Sequence, residues 1–258
     1  LYPLAQGGMG SVWGARMRGK HGFEKLVALK TILPQHAADP RVRQMFLDEA
    51  RIASRIDHEN VARILDLGEE RDVLYLVMEW VDGDSLANLE HAARRAKTPL
   101  PVGLAVHLVA GVCAGLHAAH ELTDARGARL GVVHRDVSPQ NVLVSARGEV
   151  KLIDFGIAKA RGRAAAETSI GGVKGKVHFM APEQALGQAV DLRADVWAAG
   201  AVLYALLAGH APFDADNDIA VLHRLVAGGP PPPLPPRVPA GIAAVVSRAL
   251  AYEAEDRY

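Results

Sequence analysis

The hydrophobic periodicity of this chain changes once, near residues 79–83, and that change restricts the fold more than any other feature. Before it, short runs rich in Val, Leu and Ile are bounded by Gly, Pro and charged turns: Gly10–Ala15, Leu26–Ile32, Ala62–Leu67 and Leu74–Glu79. Runs of this kind read as strands. One segment among them differs, because Val42, Met45, Phe46, Ile52 and Ile56 recur at helical spacing in Arg41–Ile56, with Asp39-Pro40 as cap and first turn. Past Asp84 the pattern becomes long and rich in Ala and Leu, predicting helices over Pro101–Glu121, Asp195–Ala208, Ile219–Ala227 and Ile242–Tyr252. The two textures are segregated, so the expected class is α+β and bilobal. A small β-rich part with one helix covers residues 1–81, and a larger, mainly helical part covers residues 82–258. No internal repeat is present.

Composition removes several classes of function. Lys+Arg 29 against Asp+Glu 29, a formal net charge of +0, gives no surface for nucleic acid or for acidic lipid within this segment. Cys113 is the single cysteine, which excludes an intrachain disulfide and fits a reducing cytoplasm; its apolar, helix-like surroundings predict core packing. Leu1 to Gly10 has neither the basic start nor the apolar middle of a signal peptide. The uncharged run Val196 to Gly209 is shorter than the roughly 20 apolar residues of a membrane span, so a buried helix is expected there. The chain does not begin with Met, which suggests a domain cut from a longer protein that carries a membrane anchor elsewhere. The proline run Gly229 to Pro239 reads as a stiff connection between helices rather than a polyproline ligand, and Pro212 and Phe213 read as packing.

Chemistry begins at Leu4-Ala5-Gln6-Gly7-Gly8-Met9-Gly10-Ser11-Val12, a glycine-rich turn between strands. Glycines let backbone N–H groups approach phosphate oxygens. A helix-opening phosphate loop is excluded, since no Gly-Lys-Ser/Thr follows. Lys30 ends Val27-Ala28-Leu29-Lys30, an otherwise buried strand, where an ammonium is costly unless an anion meets it. Phosphate oxygens or Glu49, on the apolar helix, could serve. The strongest signal is His134-Arg135-Asp136-Val137-Ser138-Pro139-Gln140-Asn141 followed by Lys151-Leu152-Ile153-Asp154-Phe155-Gly156. Phosphoryl transfer requires an acceptor for a hydroxyl proton, which Asp136 suits, and hard oxygen ligands for Mg²⁺, which Asn141 and Asp154 supply.

Together these clusters resemble the protein-kinase superfamily, and within it the bacterial serine/threonine branch, over nearly the whole chain. The resemblance implies a bilobal protein-kinase fold and a protein serine/threonine kinase that uses ATP with Mg²⁺, or Mn²⁺ in its place, on a protein substrate. It implies a nucleotide site in which Gly7, Gly8 and Gly10 cover the phosphates beside Leu4 and Ala5, Val12 and Ala28 sandwich the adenine from above, and Leu143 does so from below. Lys30 would pair with Glu49. Met78 would be the gatekeeper, with the backbone of Glu79 and Val81 on the adenine edge. Ala181-Pro182-Glu183 resembles the end of the activation segment, with Glu183 paired to Arg257, while Asp195 would anchor the catalytic loop. Leu1-Tyr2-Pro3-Leu4 resembles the tail of a first strand and Asp256-Arg257-Tyr258 the start of a last helix, so both ends read as truncated.

Three departures from the family pattern carry their own expectations. Ala5 replaces a loop glycine, Ser138 replaces a Lys that touches the γ-phosphate, and Lys176 replaces a Thr that faces both that Lys and the catalytic Asp. Lys176 is therefore expected to supply, as a catalytic residue, the ammonium that Ser138 does not offer. Arg135 before Asp136 implies control by phosphorylation of the activation segment, with Thr168 as first candidate and Ser169 as second, by autophosphorylation in trans within a homodimer. Two other classes compete. A pseudokinase binding a nucleotide or partner is motivated by the three departures and opposed by the presence of Lys30, Glu49, Asp136, Asn141 and Asp154. A small-molecule phosphotransferase would lack the Ala181-Pro182-Glu183 segment and its Arg257 partner.

Overall fold

A computed structural model describes residues 1–6, 10–155 and 176–258, and its elements follow the two textures. Strands β1 (Tyr2–Gln6), β2 (Gly10–Arg18), β3 (Glu24–Ile32), β4 (Ile64–Glu70) and β5 (Val73–Glu79) form an antiparallel five-stranded sheet in the order β1-β2-β3-β5-β4. Helix α1 (Pro34–Ala37) is a short turn before α2 (Pro40–Ala53). The Asp39 side chain accepts from the Arg41 N–H at 2.8 Å and Pro40 opens the first turn, so α2 starts where its cap signal predicts. Phe46 and Ala50 of α2 are buried with Ile32, Leu74, Leu76 and Met78 of the sheet, forming a small core. Glu49, adjacent to Ala50, is thereby carried toward the sheet.

The helical part holds the larger core. It contains helices α3 (Leu86–Arg95), α4 (Val102–His120), α5 (Pro182–Ala185), α6 (Arg193–Ala208), α7 (Asp218–Ala227) and α8 (Ala240–Ala249), with a small sheet of β6 (Gly83–Ser85), β7 (Val142–Ser145) and β8 (Val150–Leu152) packed against α3 and α4. Helix α6 is the hub: Trp197, Val202, Tyr204 and Leu207 are each at most 1% exposed. An apolar helix buried on all sides carries no polar face, which is why its sequence shows an uncharged run rather than an amphipathic stripe. Beside it, α4 buries Ala105, Leu108, Val109, Val112, Leu116 and Ala119, the spacing of one helical face. By length and composition α4 could cross a membrane, but that face is packed into the same core as α6.

Two expectations are corrected here. Cys113 is exposed rather than in the core, because it follows Val112 by one position and so points about 100° away from the buried stripe. The last long helix spans Ala240–Ala249 and stops before Tyr252, whose hydroxyl donates to the Val226 carbonyl at 3.1 Å outside any helix. The proline run does connect α7 to α8, and the Tyr204 hydroxyl fastens it by donating to the Pro232 carbonyl at 3.0 Å. Phe213 stacks on Trp197 with ring centroids 5.9 Å apart, in accord with the packing expectation.

Candidate active site

Strand register gathers the first group of residues. Val12 lies opposite Lys30 on β2 and β3, and Lys30 lies opposite Leu76 on β5; Gly14, Ala28 and Met78 form the next row. Directly opposed residues project from the same sheet face, so Val12, Ala28, Lys30 and Met78 share one face. The Lys30 ammonium donates to Glu49 Oε1 at 2.9 Å and to Asp154 Oδ1 at 2.7 Å. Burial alone would pull this amine down, but Asp154 and Glu49 outweigh it and hold Lys30 above the ordinary lysine range. For Glu49 the balance runs the other way: burial pushes its carboxyl up, and Lys30 offsets only part of that rise. Lys30 is thus a fixed cation joining the sheet, helix α2 and the segment after β8.

The second group is built on a buried carboxylate. Asp195, fully buried on the first turn of α6, accepts from the His134 N–H and the Arg135 N–H, each at 2.8 Å, and bonds His120 Nε2 of α4 at 2.8 Å. It therefore fixes the backbone just before Asp136. His134 is also fully buried; its Nδ1 accepts from the Asp136 N–H at 3.3 Å, and its Nε2 donates to the Ile153 carbonyl at 3.2 Å. Arg135 and Asp154 adopt positive φ of 64° and 56°, an uncommon conformation for non-glycine residues, here in segments tied down by the bonds above. Gln184 braces the same loop by donating to the Arg135 carbonyl at 3.1 Å.

Around Asp136 the polar groups converge. Asn141 Nδ2 donates to the Asp136 carbonyl at 2.7 Å and to its Oδ2 at 2.9 Å. Lys176 Nζ is ion-paired with the same Oδ2, while Ser138, 1% exposed, has its hydroxyl 3.5 Å from Gln140 Oε1. With the Asn141 nitrogen engaged, its amide oxygen is the atom suited to a hard cation, and Asp154 adds carboxylate oxygen. That donor set fits Mg²⁺, and no cluster of three or more His, Cys, Asp or Glu residues competes with it among the described residues. Glu183 and Arg257 form a two-pronged pair at 2.8 and 2.9 Å beneath α5. Arg257, 3% exposed, also donates to the carbonyls of Ala251, Tyr252 and Arg193 and lies 5.0 Å from the centre of the Trp197 ring.

Of the residues singled out in the sequence, the structure joins Lys30, Glu49 and Asp154 in one group and Asp136, Asn141 and Lys176 in another. Leu143 sits on β7, and Met78, Glu79 and Val81 lie at the end of β5, where the Glu79 N–H is engaged by the Arg63 carbonyl at 2.9 Å. Gly7, Gly8, Thr168 and Ser169 lie outside the described residues. His120 and Gln184 went unread in the sequence, since nothing local marks a residue whose partner is 75 or 49 positions away. A cavity of about 470 Å³ lined by Phe213, His223, Arg224 and Pro230 contains none of the proposed catalytic or nucleotide-binding residues.

The family model described as protein kinase domain matches residues 2–258. Among relatives, the chain is 41% identical to tyrosine-protein kinase MasK of Myxococcus xanthus, over 99% of this chain and 40% of the relative. It is 39% identical to serine/threonine-protein kinase Pkn1 of Myxococcus xanthus, over 99% of this chain and 35% of that one. It is 35% identical to serine/threonine-protein kinase PknB of Mycobacterium tuberculosis, over 99% of this chain and 40% of that one. The chain thus spans about two fifths of the length of such relatives. A crystal structure of the Mycobacterium tuberculosis PknI kinase domain superposes with a TM-score of 0.70 at 32% identity, covering 100% of this chain and 88% of that one.

Proposed function

We propose, from the premise that this chain belongs to the protein kinase domain family, that it transfers the γ-phosphoryl group of ATP to serine and threonine hydroxyls of proteins. The observation that carries this reading is the Lys30 ammonium held between Glu49 and Asp154, in register with Val12, Ala28 and Met78 on one sheet face. Residues 1–81 would form the nucleotide-binding lobe and residues 82–258 the catalytic lobe. ATP supplies the phosphoryl group when bound, with Mg²⁺ or Mn²⁺ to neutralise its charge. In this reading Lys30, oriented by Glu49, binds phosphate oxygens, and Gly7, Gly8 and Gly10 cover them beside Leu4 and Ala5. Val12, Ala28 and Leu143 enclose the adenine below the Met78 gatekeeper, with the Glu79 and Val81 backbone on its edge. Asn141 and Asp154 offer oxygens to the metal. Asp136 takes the proton from the attacking hydroxyl.

Lys176 supplies the positive charge that Ser138 lacks, from the activation segment. Its ion pair with Asp136 supports this, and so does the burial of Ser138. The Ser/Thr acceptor is favoured by Pro139 after the catalytic loop aspartate and by the names of Pkn1 and PknB; MasK is named a tyrosine kinase. Activation through phosphate on Thr168, or on Ser169, would neutralise the basic group of Arg135 and order the segment, by transfer between two copies of the chain. The reaction draws on ATP and so belongs in the cytoplasm. Label transfer from γ-labelled ATP onto a protein acceptor tests this reading with Asp136→Asn as control. Lys176→Thr should lower the rate by roughly 100- to 1000-fold, as expected for one donor at a developing transition-state charge. Adding Ser138→Lys should recover part of that loss. An undiminished rate in Lys176→Thr removes Lys176 from catalysis, and ATP binding without transfer in the parent favours the pseudokinase.

A further inference from the structure

We infer that Tyr2 is a nucleotide-binding residue: its ring, braced by Trp80, forms the outer wall of the site for the purine base. This rests on reading the cleft as the ATP site. The row Gly14–Ala28–Met78 on the cleft face continues onto β1, where Tyr2 lies directly opposite Gly14. Tyr2 is thus the β1 member of the row that carries Ala28 and Met78. Gly14 is buried in the interior of β2, where a glycine normally weakens a strand unless another group approaches closely. The group is the Tyr2 ring: a Cβ at position 14 would stand 2.2 to 2.6 Å from three of its carbons.

On its other side, the Tyr2 ring meets Trp80 edge to face, with centroids 6.1 Å apart and planes at 69°. That is a favourable aromatic geometry. Trp80 lies two residues beyond Met78 and between Glu79 and Val81, so the pair connects β1 to the segment that joins the two parts of the molecule. Tyr2 remains 46% exposed, which leaves ring surface for a ligand. The ring covers Gly14, so Ala28 alone floors the row between it and Met78; the aromatic ring on one side and Met78 on the other bound a slot suited to a flat purine. Aromatic side chains bind bases through their faces with little demand on hydrogen bonding.

The test is calorimetric titration of the chain with Mg-ATP and with Mg-tripolyphosphate, which carries the phosphates without the base. Tyr2→Ala should weaken ATP by roughly 3- to 10-fold, the yield of one aromatic contact, and raise KM for ATP in parallel while kcat moves far less. Tripolyphosphate binding should not change. Tyr2→Phe, which keeps the ring, should bind ATP like the parent. Gly14→Ala, whose methyl displaces the ring, should resemble Tyr2→Ala, and the two together should be no weaker than Tyr2→Ala alone. Equal ATP affinity in parent and Tyr2→Ala overturns the inference, as does equal weakening toward tripolyphosphate, which would mark a purely structural role. A parent that binds no ATP would instead overturn the reading of the cleft itself, and this inference with it.

Discussion

His134 shows how far the catalytic loop depends on one proton. Its ring accepts from the Asp136 N–H and donates to the Ile153 carbonyl, so only the neutral form with hydrogen on Nε2 satisfies both. A second proton on Nδ1 would face the Asp136 N–H, donor against donor. Burial pushes His134 below its usual 6.5, and the nearby Asp195 and Asp136 charges offset only part of that. The folded state then binds fewer protons than the unfolded state. Stability from this group is complete above pH 6.5 and is lost as pH falls toward the folded-state value, by at most about 1.4 kcal/mol per pH unit. Urea unfolding from pH 7.5 to 5 should show that decline, and His134→Phe should lose this part of the slope while being less stable at pH 7.5. An identical slope in the variant would assign the dependence to other groups. Lys30 and Glu49 stood out in the sequence as charges in apolar surroundings, and Asp136, Asn141 and Asp154 through their two motif clusters. Tyr2 did not, since its meaning lies in the glycine across the strand pair.

At the scale of elements, the long helices were readable and the short strands were not. Helices α4, α6 and α7 carry several turns of pattern, whereas β6 and β8, of 3 residues each, are shorter than any period. The fourth strand shows why boundaries slip. Ala62 belongs to an apolar run, but its N–H donates to the Leu152 carbonyl of β8 at 2.8 Å instead of to β5, and β4 begins at Ile64. Helix α3 was missed because its cap is a single Ser85, accepting from the Asn88 N–H at 3.2 Å, ahead of a largely polar stretch. The contact of α6 with α8 gives a prediction at this scale. A Cβ on Gly200 would lie 2.7 Å from the Ala249 Cβ, so these helices meet with no room for a methyl. Gly200→Ala should destabilise by about 1–3 kcal/mol through overpacking, and Ala249→Gly in the same chain should return part of it. A neutral Gly200→Ala, measured by denaturant midpoint, would show that α8 shifts freely.

Across the whole molecule, the two textures are joined by a shared core, in which Ala53, Ile56 and Val61 pack with the helical part, and by specific polar contacts. Lys30 reaches Asp154 over 124 positions of sequence, and Lys151 pairs with Glu79 at 2.8 Å. The sheet and α2 hold one end of the site, while α4 and α6 hold the other through Asp195. The family of the chain follows from the match across residues 2–258, and the proposed Ser/Thr acceptor is the part of the account that chemistry must test. The most direct test is to phosphorylate a mixed protein acceptor with γ-labelled ATP and Mg²⁺, hydrolyse the product, and identify the labelled amino acids beside an Asp136→Asn control. Labelled phosphoserine and phosphothreonine, absent from the control, are the predicted result. Labelled phosphotyrosine alone, or label that persists in Asp136→Asn, would contradict the account.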